Sequence, residues 1–268
     1  MNGLSADARP YLDKIHQLAP LIREHADRAE REAQMTREVA LAMRDAGLFR
    51  ILLPRPMGGG EVTIPDLLRL IEETSRIDAS AGWNFAICSG GPVFGQYLSR
   101  TGFEKIFGDP NAIGAGSLNP MTSRAVRVDG GWRFSGKATN ASGSGHSTWL
   151  TVAALILKDG APQFVDGAPM LIAGSFPTSQ ARILNTWSTS GMRGTGSNDC
   201  VFEDVFVPDG YTFDWFNAKS DWQTGAFATI PFALQIGGNL AAVVIGTAGH
   251  ALDALDELAR SKVPVASM

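Results

Sequence analysis

The spacing of hydrophobic residues changes twice along this 268-residue chain, and that change limits the possible folds more than any other feature. Up to about residue 110, apolar residues recur every three or four positions, which is typical of amphipathic helices. Between about residues 112 and 208 the period falls toward two, with continuous apolar runs of strand length. The helical period returns from about residue 231 to 262. The sequence therefore predicts an α+β protein whose strands lie between two helical parts.

Three domains are expected from these changes. Residues 1–110 form the predicted N-terminal helical domain, with helices at about 65–77 and 80–98. Residues 111–222 form a predicted middle β domain, a barrel-like or sandwich arrangement. Residues 223–268 are expected to begin a C-terminal helical bundle that stays incomplete in this chain. Its many small residues let helices approach closely, so this part is expected to pack against further helices or a second subunit.

Composition and charge are those of an ordinary soluble enzyme. Acidic and basic residues alternate along the first helix and the net charge is only −4, which argues against nucleic-acid binding. Cys88 and Cys200 form neither a disulfide framework nor a metal cluster, so no metal is expected. Gln235, Asn239 and His250 interrupt the last apolar segment, which argues against a membrane span. The N-terminus lacks a basic-then-apolar signal, so a cytoplasmic location is expected.

The first informative motif is GGWRFSGKATNASG at residues 130–143. Trp132 and Phe134 alternate with polar residues, as in a half-buried strand. The Asn-Ala-Ser-Gly segment that follows turns a hydroxyl, that of Ser142, and flexible backbone toward whatever lies beside the sheet. This pattern predicts a ligand-facing turn. The alternative is a serine that only caps the turn.

The second motif is WSTSGMRGTGSNDCVFEDVFVP at residues 187–208. It runs from Trp187 through a glycine-rich turn into a strand that Pro208 ends. Arg193 in this turn resembles a phosphate ligand, but the turn lacks the strand-to-helix context of a phosphate-binding glycine loop. A structural turn is therefore favoured for Arg193.

With both motifs in this order after a helical third, the chain resembles the acyl-CoA dehydrogenase fold superfamily. It is most similar there to the flavin-dependent monooxygenases, the oxygenase components of two-component systems such as hydroxyphenylacetate hydroxylase and dibenzothiophene monooxygenase. The resemblance covers nearly the whole chain, including AGLFRILLPRPMGGGE at 46–61 and DASAGW at 78–83. Dehydrogenases usually carry Thr-Glu-Pro and Gly-Ser-Asp where this chain has GAGSLNPMTS at 114–123. The acidic members of that signature are absent, which favours an oxygenase.

The resemblance implies four flavin contacts and leaves the catalytic residues unassigned. Asn119 would bind the pyrimidine edge of the ring, Ser142 would lie near N5, Trp187 would lie near the ring, and Ser197 would add a hydroxyl contact. A serine hydroxyl can accept from N5–H of reduced flavin and donate to N5 of oxidised flavin, so Ser142 is expected to serve both states. The alternatives are an Asn-Pro turn at Asn119 and, for Trp187, an indole that closes the sheet edge.

The implied reaction uses reduced FMN or FAD, delivered by a separate flavin reductase, and O2 to oxygenate a small, aromatic substrate in a homotetramer. A dry pocket walled by Trp83, Phe85 and Trp187 would protect the oxygen chemistry from water. His146, the histidine nearest to the proposed flavin in sequence, is expected to bind loop backbone rather than act as a base.

Two other functions remain open at this stage. An acyl-CoA dehydrogenase would need a carboxylate base, and a truncated flavin-fold protein would act without catalysis. Related enzymes continue beyond a segment like 261–268 into helices that complete the bundle and usually supply the base. The resemblance therefore implies a base beyond Met268. Either the sequence is a fragment, or the protein lacks part of its active site, and the sequence leaves both alternatives open.

Overall fold

A computed structural model describes residues 3–220, 222 and 232–262. Its helices and its mixed β-sheet confirm the predicted α+β class. The helices are α1 (Arg9–Glu32), α2 (Arg37–Asp45), α3 (Ile64–Ile77), α4 (Ala79–Cys88), α5 (Gly91–Gly95), α6 (Arg100–Phe107) and α7 (Phe232–Ser261). The strands are β1 (Gly114–Ser117), β2 (Ser123–Val128), β3 (Gly131–Ala141), β4 (Trp149–Lys158), β5 (Ala161–Pro162), β6 (Phe164–Val165), β7 (Ala168–Pro169), β8 (Leu171–Pro177), β9 (Arg182–Ile183), β10 (Asn198–Pro208) and β11 (Thr212–Asp214).

Helices α3 and α4 form the layer that carries one wall of the site. Thr63 caps α3 by accepting from the backbone N–H of Asp66 at 3.3 Å. Asp78 ends α3 and at once begins α4, because its extended backbone lets the carboxylate accept from the N–H of Ala81 at 2.7 Å. Helix α7 packs against both. Its expected start near residue 231 lies outside the described residues.

One predicted helix is divided. The segment expected to be helical over 80–98 breaks after Cys88, and a short α5 follows. The break coincides with Gly90 and Gly91 before Pro92, which has no N–H to continue the helical ladder. This break opens the space between α4 and β1 in which the site lies.

The middle part is a nine-stranded mixed sheet with the strand order β11-β8-β4-β2-β3-β10-β9, and β1 and β5 both pair with β4. Strands β3 and β10 run antiparallel along most of their length. Their register shifts twice, between Asn198 and Cys200 and between Phe202 and Val205. The first of these shifts lies where β10 begins beside the end of β3, so the backbone departs from the regular ladder next to the site.

Among the described residues, the helical layer and the sheet each have a buried core, and a third cluster, which includes Phe103 and Ala173, joins the two layers. Phe85, Ile71 and Met43 are fully buried in the helical core, whereas Phe134 and Phe176 belong to the core of the sheet. Among the described residues, no helix is long and apolar enough to cross a membrane, and no cluster of three metal-ligating side chains occurs. Both cysteines are buried and free.

Candidate functional site

The turn after β3 brings Ser142 to the boundary between the sheet and α4. Asn140 and Gly143 both adopt positive φ angles, 54° and 73°, so the chain reverses sharply around Ser142. The N–H of Gly143 donates to the carbonyl of Thr195 at 3.0 Å, which joins this turn to the loop before β10. A Cβ at Gly143 would lie 2.8 Å from the sulfur of Cys88 on α4, so the close approach requires glycine.

Three buried hydroxyls form a continuous hydrogen-bonded row, here named the hydroxyl chain (Ser142, Ser197 and Thr195). The Oγ atoms of Ser142 and Ser197 are 2.7 Å apart, and Ser197 Oγ is 2.7 Å from Thr195 Oγ1. At one end Trp83 Nε1 donates to Ser142 Oγ at 2.8 Å, and at the other Thr195 Oγ1 donates to the carbonyl of Met192 at 2.8 Å. Two of the four predicted site residues are therefore in direct contact.

A cavity of about 270 Å³ opens beside Ser142 and is here named the Ser142 cavity. Its wall combines an indole and an aliphatic side chain of α4 with the backbone after β1 and the end of β3. The residues that carry its chemistry are Trp83, Ile87, Leu118, Asn119, Thr139 and Ser142. None of the described lining residues is charged, so the wall offers an aromatic surface, hydroxyls and the two amides of Asn119 and Asn140.

A second cavity of about 230 Å³, the apolar cavity, continues from the first along α4. The two share Trp83, Ile87, Gly116 and Leu118. Its own walls include Leu52, Leu67, Val93, Phe94, Ala115 and Ile236. Phe85, which was expected in the pocket wall, is instead fully buried in the helical core. Two residues apart on a helix, Trp83 and Phe85 point in nearly opposite directions, so only one of them reaches the cavities.

Asn119 lines the Ser142 cavity, but its amide also holds its own turn. Its Oδ1 accepts from the N–H of Met121 at 3.1 Å, as an Asn-Pro turn requires. Its Nδ2 donates to Thr139 Oγ1 at 3.2 Å. Both readings of Asn119 therefore remain compatible with its position, and its flavin contact stays a prediction.

Trp187 lies at the far end of the hydroxyl chain and is not among the residues that line the Ser142 cavity. Its Nε1 donates to the carbonyl of Met192 at 3.1 Å, the same oxygen that Thr195 binds. Its backbone N–H donates to Asn198 Oδ1 at 3.0 Å. The indole thus supports the loop that carries Ser197, and its contact with a flavin stays a prediction.

Arg193 and His146 both bind the protein itself. Arg193 Nε donates to the carbonyl of Glu30 at 2.7 Å, which agrees with the structural role favoured from the sequence. His146 Nε2 binds the carbonyl of Met35 at 2.6 Å, and burial lowers the pKa of its imidazole. Burial also raises the pKa of the Cys88 thiol to about 12, so this sulfur behind Gly143 is a neutral packing group.

Sequence reasoning missed Thr195 and the hydrogen bond from Trp83 to Ser142. The available signal for Thr195 was its place in Gly-Thr-Gly-Ser, two residues before Ser197. Trp83 was expected only as a hydrophobic wall, because nothing in the sequence relates an indole N–H to a hydroxyl 59 residues later.

The residues present fit the isoalloxazine ring of a flavin. Such a ring needs an aromatic or apolar wall, polar groups at its pyrimidine edge and a neutral hydrogen-bonding group near N5. Trp83, Asn119 and Ser142 supply these three kinds of group around one uncharged cavity.

Comparison with known proteins identifies the family. Residues 13–105 match the family model described as acyl-CoA dehydrogenase, N-terminal domain. Residues 13–105 therefore belong to this domain family, and the chain as a whole is similar to oxygenase components of flavin-dependent monooxygenases.

Two curated relatives and one solved structure illustrate the similarity. The flavin-dependent monooxygenase oxygenase subunit HsaA of Mycobacterium tuberculosis is 32% identical over 83% of this chain and 55% of its own length. The FADH2-dependent resorcinol hydroxylase oxygenase component of a Rhizobium species is 30% identical over 95% of this chain and 64% of its own. The crystal structure of the M. tuberculosis HsaA monooxygenase has a TM-score of 0.86 at 27% identity, covering 97% of this chain and 68% of that chain. The chain spans about half the length of the first curated relatives that it matches.

Proposed function

We propose that this protein acts as the oxygenase component of a two-component flavin-dependent monooxygenase. It uses reduced FMN or FAD and O2 to oxygenate a small aromatic substrate. One observation carries the proposal: the Ser142 hydroxyl, on the wall of an uncharged cavity that Trp83 also lines, lies 2.7 Å from the hydroxyl of Ser197, 55 residues away in sequence. The similarity to named oxygenase components supports the same function.

Each predicted contact has a role in this proposal. When bound, the reduced flavin supplies the electrons that activate O2. Ser142 binds near N5, and Asn119 binds the pyrimidine edge. Ser197 is hydrogen-bonded to the Ser142 hydroxyl, and Trp187 is hydrogen-bonded to Asn198 next to it, so both hold the loop that supports Ser142. The Trp83 indole covers the ring and excludes water from it.

The apolar cavity next to the flavin site is proposed to hold the organic substrate. Its described side chains are aliphatic and aromatic except for two: Thr151, whose hydroxyl is bonded to Ser175 Oγ at 2.9 Å, and Asn239, whose Nδ2 donates to the carbonyl of Ala86 at 3.4 Å. Burial of an unpaired charge in such walls is costly, which favours an uncharged ring. Trp83 and Ile87 separate the two cavities only in part, so substrate and flavin ring can be adjacent.

The wider assignment follows from the same proposal. A flavin reductase is the proposed partner, because the relatives include a protein named as an oxygenase subunit and one named as an oxygenase component. The name of the resorcinol hydroxylase specifies FADH2 for that relative, and this chain is proposed to take either flavin. A homotetramer, a cytoplasmic location and the division at residues 110 and 222 belong to the proposal as well.

Oxygenation by reduced flavin in the presence of labelled O2 tests the function. A flavin reductase and NADH supply the reduced flavin, with resorcinol or indole as the probe substrate. We expect label in the hydroxylated product and less hydrogen peroxide per O2 consumed than without the probe. An acyl-CoA thioester should leave the absorbance of oxidised flavin unchanged. Bleaching by a thioester, with no labelled product, would instead establish the dehydrogenase alternative.

A further inference from the structure

We infer that the hydroxyl chain makes the Ser142 site selective for reduced over oxidised flavin, with Thr195 as the positioning residue that sets this preference. The inference rests on the proposed function, since it concerns the same site. It changes the expectation that Ser142 serves both redox states, because the neighbours of Ser142 decide where its proton goes.

The direction of every hydrogen bond in the chain follows from its last acceptor. The carbonyl of Met192 can only accept, so Thr195 donates its single hydroxyl proton there. With that proton committed, Thr195 Oγ1 accepts from Ser197 at 2.7 Å. Ser197 has then used its own proton, so at the next link, also 2.7 Å, Ser142 is the donor.

At the other end of the hydroxyl chain, Trp83 is the first donor, and its hydrogen bond agrees with this direction. An indole N–H can only donate, so Trp83 Nε1 occupies one lone pair of Ser142 Oγ. Ser142 has therefore given away its proton and filled one of its two lone pairs. What it offers to a ligand in the Ser142 cavity is one lone pair.

The polarity of the chain is held by its surroundings. Ser142, Ser197 and Thr195 are only 6%, 4% and 2% exposed, so water cannot readily replace a lost partner. Met192 adopts φ 56°, and its carbonyl also accepts from Trp187 Nε1 at 3.1 Å. The same carbonyl accepts from the backbone N–H of Thr195 at 3.2 Å, and reversal of the chain would lose its hydrogen bond from the Thr195 hydroxyl.

The two redox states of a flavin differ at the atom that meets Ser142. Reduced flavin carries a hydrogen on N5 and donates, whereas N5 of oxidised flavin is an acceptor. The lone pair of Ser142 matches the donor. To serve the acceptor, Ser142 would have to withdraw its proton from Ser197, which costs a buried hydrogen bond.

Thr195→Val tests this inference without touching the cavity wall. Valine keeps the shape of threonine but removes the acceptor for Ser197, whose proton then turns to Ser142. Ser142 in turn donates into the cavity. Dissociation constants for oxidised FMN and FAD, and anaerobically for their reduced forms, give the oxidised-to-reduced ratio of Kd. We expect this ratio to fall about fivefold in the variant, the worth of one hydrogen bond.

Three further variants separate redox selectivity from structural damage. Thr195→Ser retains the hydroxyl and should keep the wild-type ratio. Ser197→Ala frees the proton of Ser142 but leaves its lone pair open, so the ratio should fall through tighter oxidised-flavin binding alone. Thr74→Val removes an equally buried threonine hydroxyl that donates to the carbonyl of Leu70 at 2.8 Å, and should leave the ratio unchanged.

An unchanged ratio in both Thr195→Val and Ser197→Ala, with flavin still bound, would overturn the inference and leave the proposed function intact. Failure of the wild-type protein to bind any flavin would overturn both.

Discussion

At the residue scale, the site depends on a few positions with left-handed backbone. Asn140 and Gly143 turn the chain on one side, and Met192 and Gly196 turn it on the other. Positive φ is unfavourable for residues other than glycine, so Asn140 and Met192 hold conformations that need support from their surroundings. The carbonyl of Met192 receives that support from three donors, which are Trp187 Nε1 and both the hydroxyl and the backbone N–H of Thr195.

His146 should give the protein a pH-dependent stability. Burial lowers the pKa of His146 from its ordinary value of 6.5, and the charge of Arg37 acts in the same direction, against the hydrogen bond to Met35. The unfolded chain therefore binds this proton more readily than the folded protein. The stability from neutral His146 is complete above the unfolded pKa and is lost as the pH falls through the folded pKa.

Urea unfolding at about pH 8 and about pH 5 measures this contribution. His146→Gln removes the titrating group, so the variant should lose less unfolding free energy than the wild type between the two values. Ser147→Ala, next to His146 but without a titrating side chain, is the matched control and should retain the wild-type pH dependence. Equal loss in wild type and His146→Gln would show that His146 does not contribute.

Individual site residues were predictable to different degrees. Ser142 and Ser197 could be chosen because each lies in a motif that turns a hydroxyl beside a strand. Their mutual contact, and the role of Thr195, depend on how two distant loops approach each other, which no local pattern specifies. Asn119 shows the same limit, because its turn was predictable but its orientation toward a ligand was not.

At the element scale, close contacts between helices position α4 and its wall of the site. Gly82 on α4 lies against Ser75 of α3, where a Cβ would meet the Cβ of Ser75 at 2.8 Å. Gly246 on α7 lies over the same turn of α3, where a Cβ would overlap the carbonyl oxygen of Glu72. These two glycines allow three helices to pack around one point.

Two glycine substitutions on α7 should therefore have opposite effects. Gly246→Ala forces α7 away from α3 and should lower the unfolding free energy by about 1 to 3 kcal/mol. At Gly237, a Cβ would have no described atom within 4 Å, so an alanine side chain fits there. Gly237→Ala should then stabilise the helix by up to about 1 kcal/mol. Thermal unfolding of the two variants measures the difference, and equal shifts would contradict this account of the α3–α7 contact.

Element types were easier to predict than their ends. Helix α2 ends at Asp45, two residues before Gly47, whose φ of 81° is the left-handed conformation that commonly follows a helix. The break near Gly90 was missed, because the apolar period continues across it. Strand β10 begins at Asn198, three residues before the hydrophobic run that starts at Val201, since its irregular pairing with Ala141 extends the strand.

At the scale of the whole molecule, α7 presents an exposed apolar face on the side away from α3. At 100° per residue this face lies roughly opposite Gly246. Its members are 44% to 67% exposed: Leu234, Leu240, Val244, Ile245, Leu252, Leu255 and Leu258. Apolar patches of this size mark interaction surfaces, which agrees with the proposed homo-oligomer.

Sedimentation velocity at micromolar concentration tests the proposed assembly. We expect species larger than one chain, because association buries the apolar face. Leu252→Lys together with Leu255→Lys should shift the distribution toward the monomer, since a charge opposes burial there. Ala254→Lys, exposed but outside the apolar row, serves as the control. A wild-type monomer at these concentrations would refute the assembly.

The central claim, that a reduced flavin binds in the Ser142 cavity, is tested most directly by anaerobic equilibrium binding of reduced FMN and FAD to Ser142→Ala. Ser123→Ala provides the control. It removes another buried hydroxyl, which donates to the carbonyl of Lys137 at 3.2 Å and does not line the cavity. The account predicts about fivefold weaker binding for Ser142→Ala, equivalent to about 1 kcal/mol, and wild-type binding for Ser123→Ala. Unchanged affinity in Ser142→Ala would contradict it.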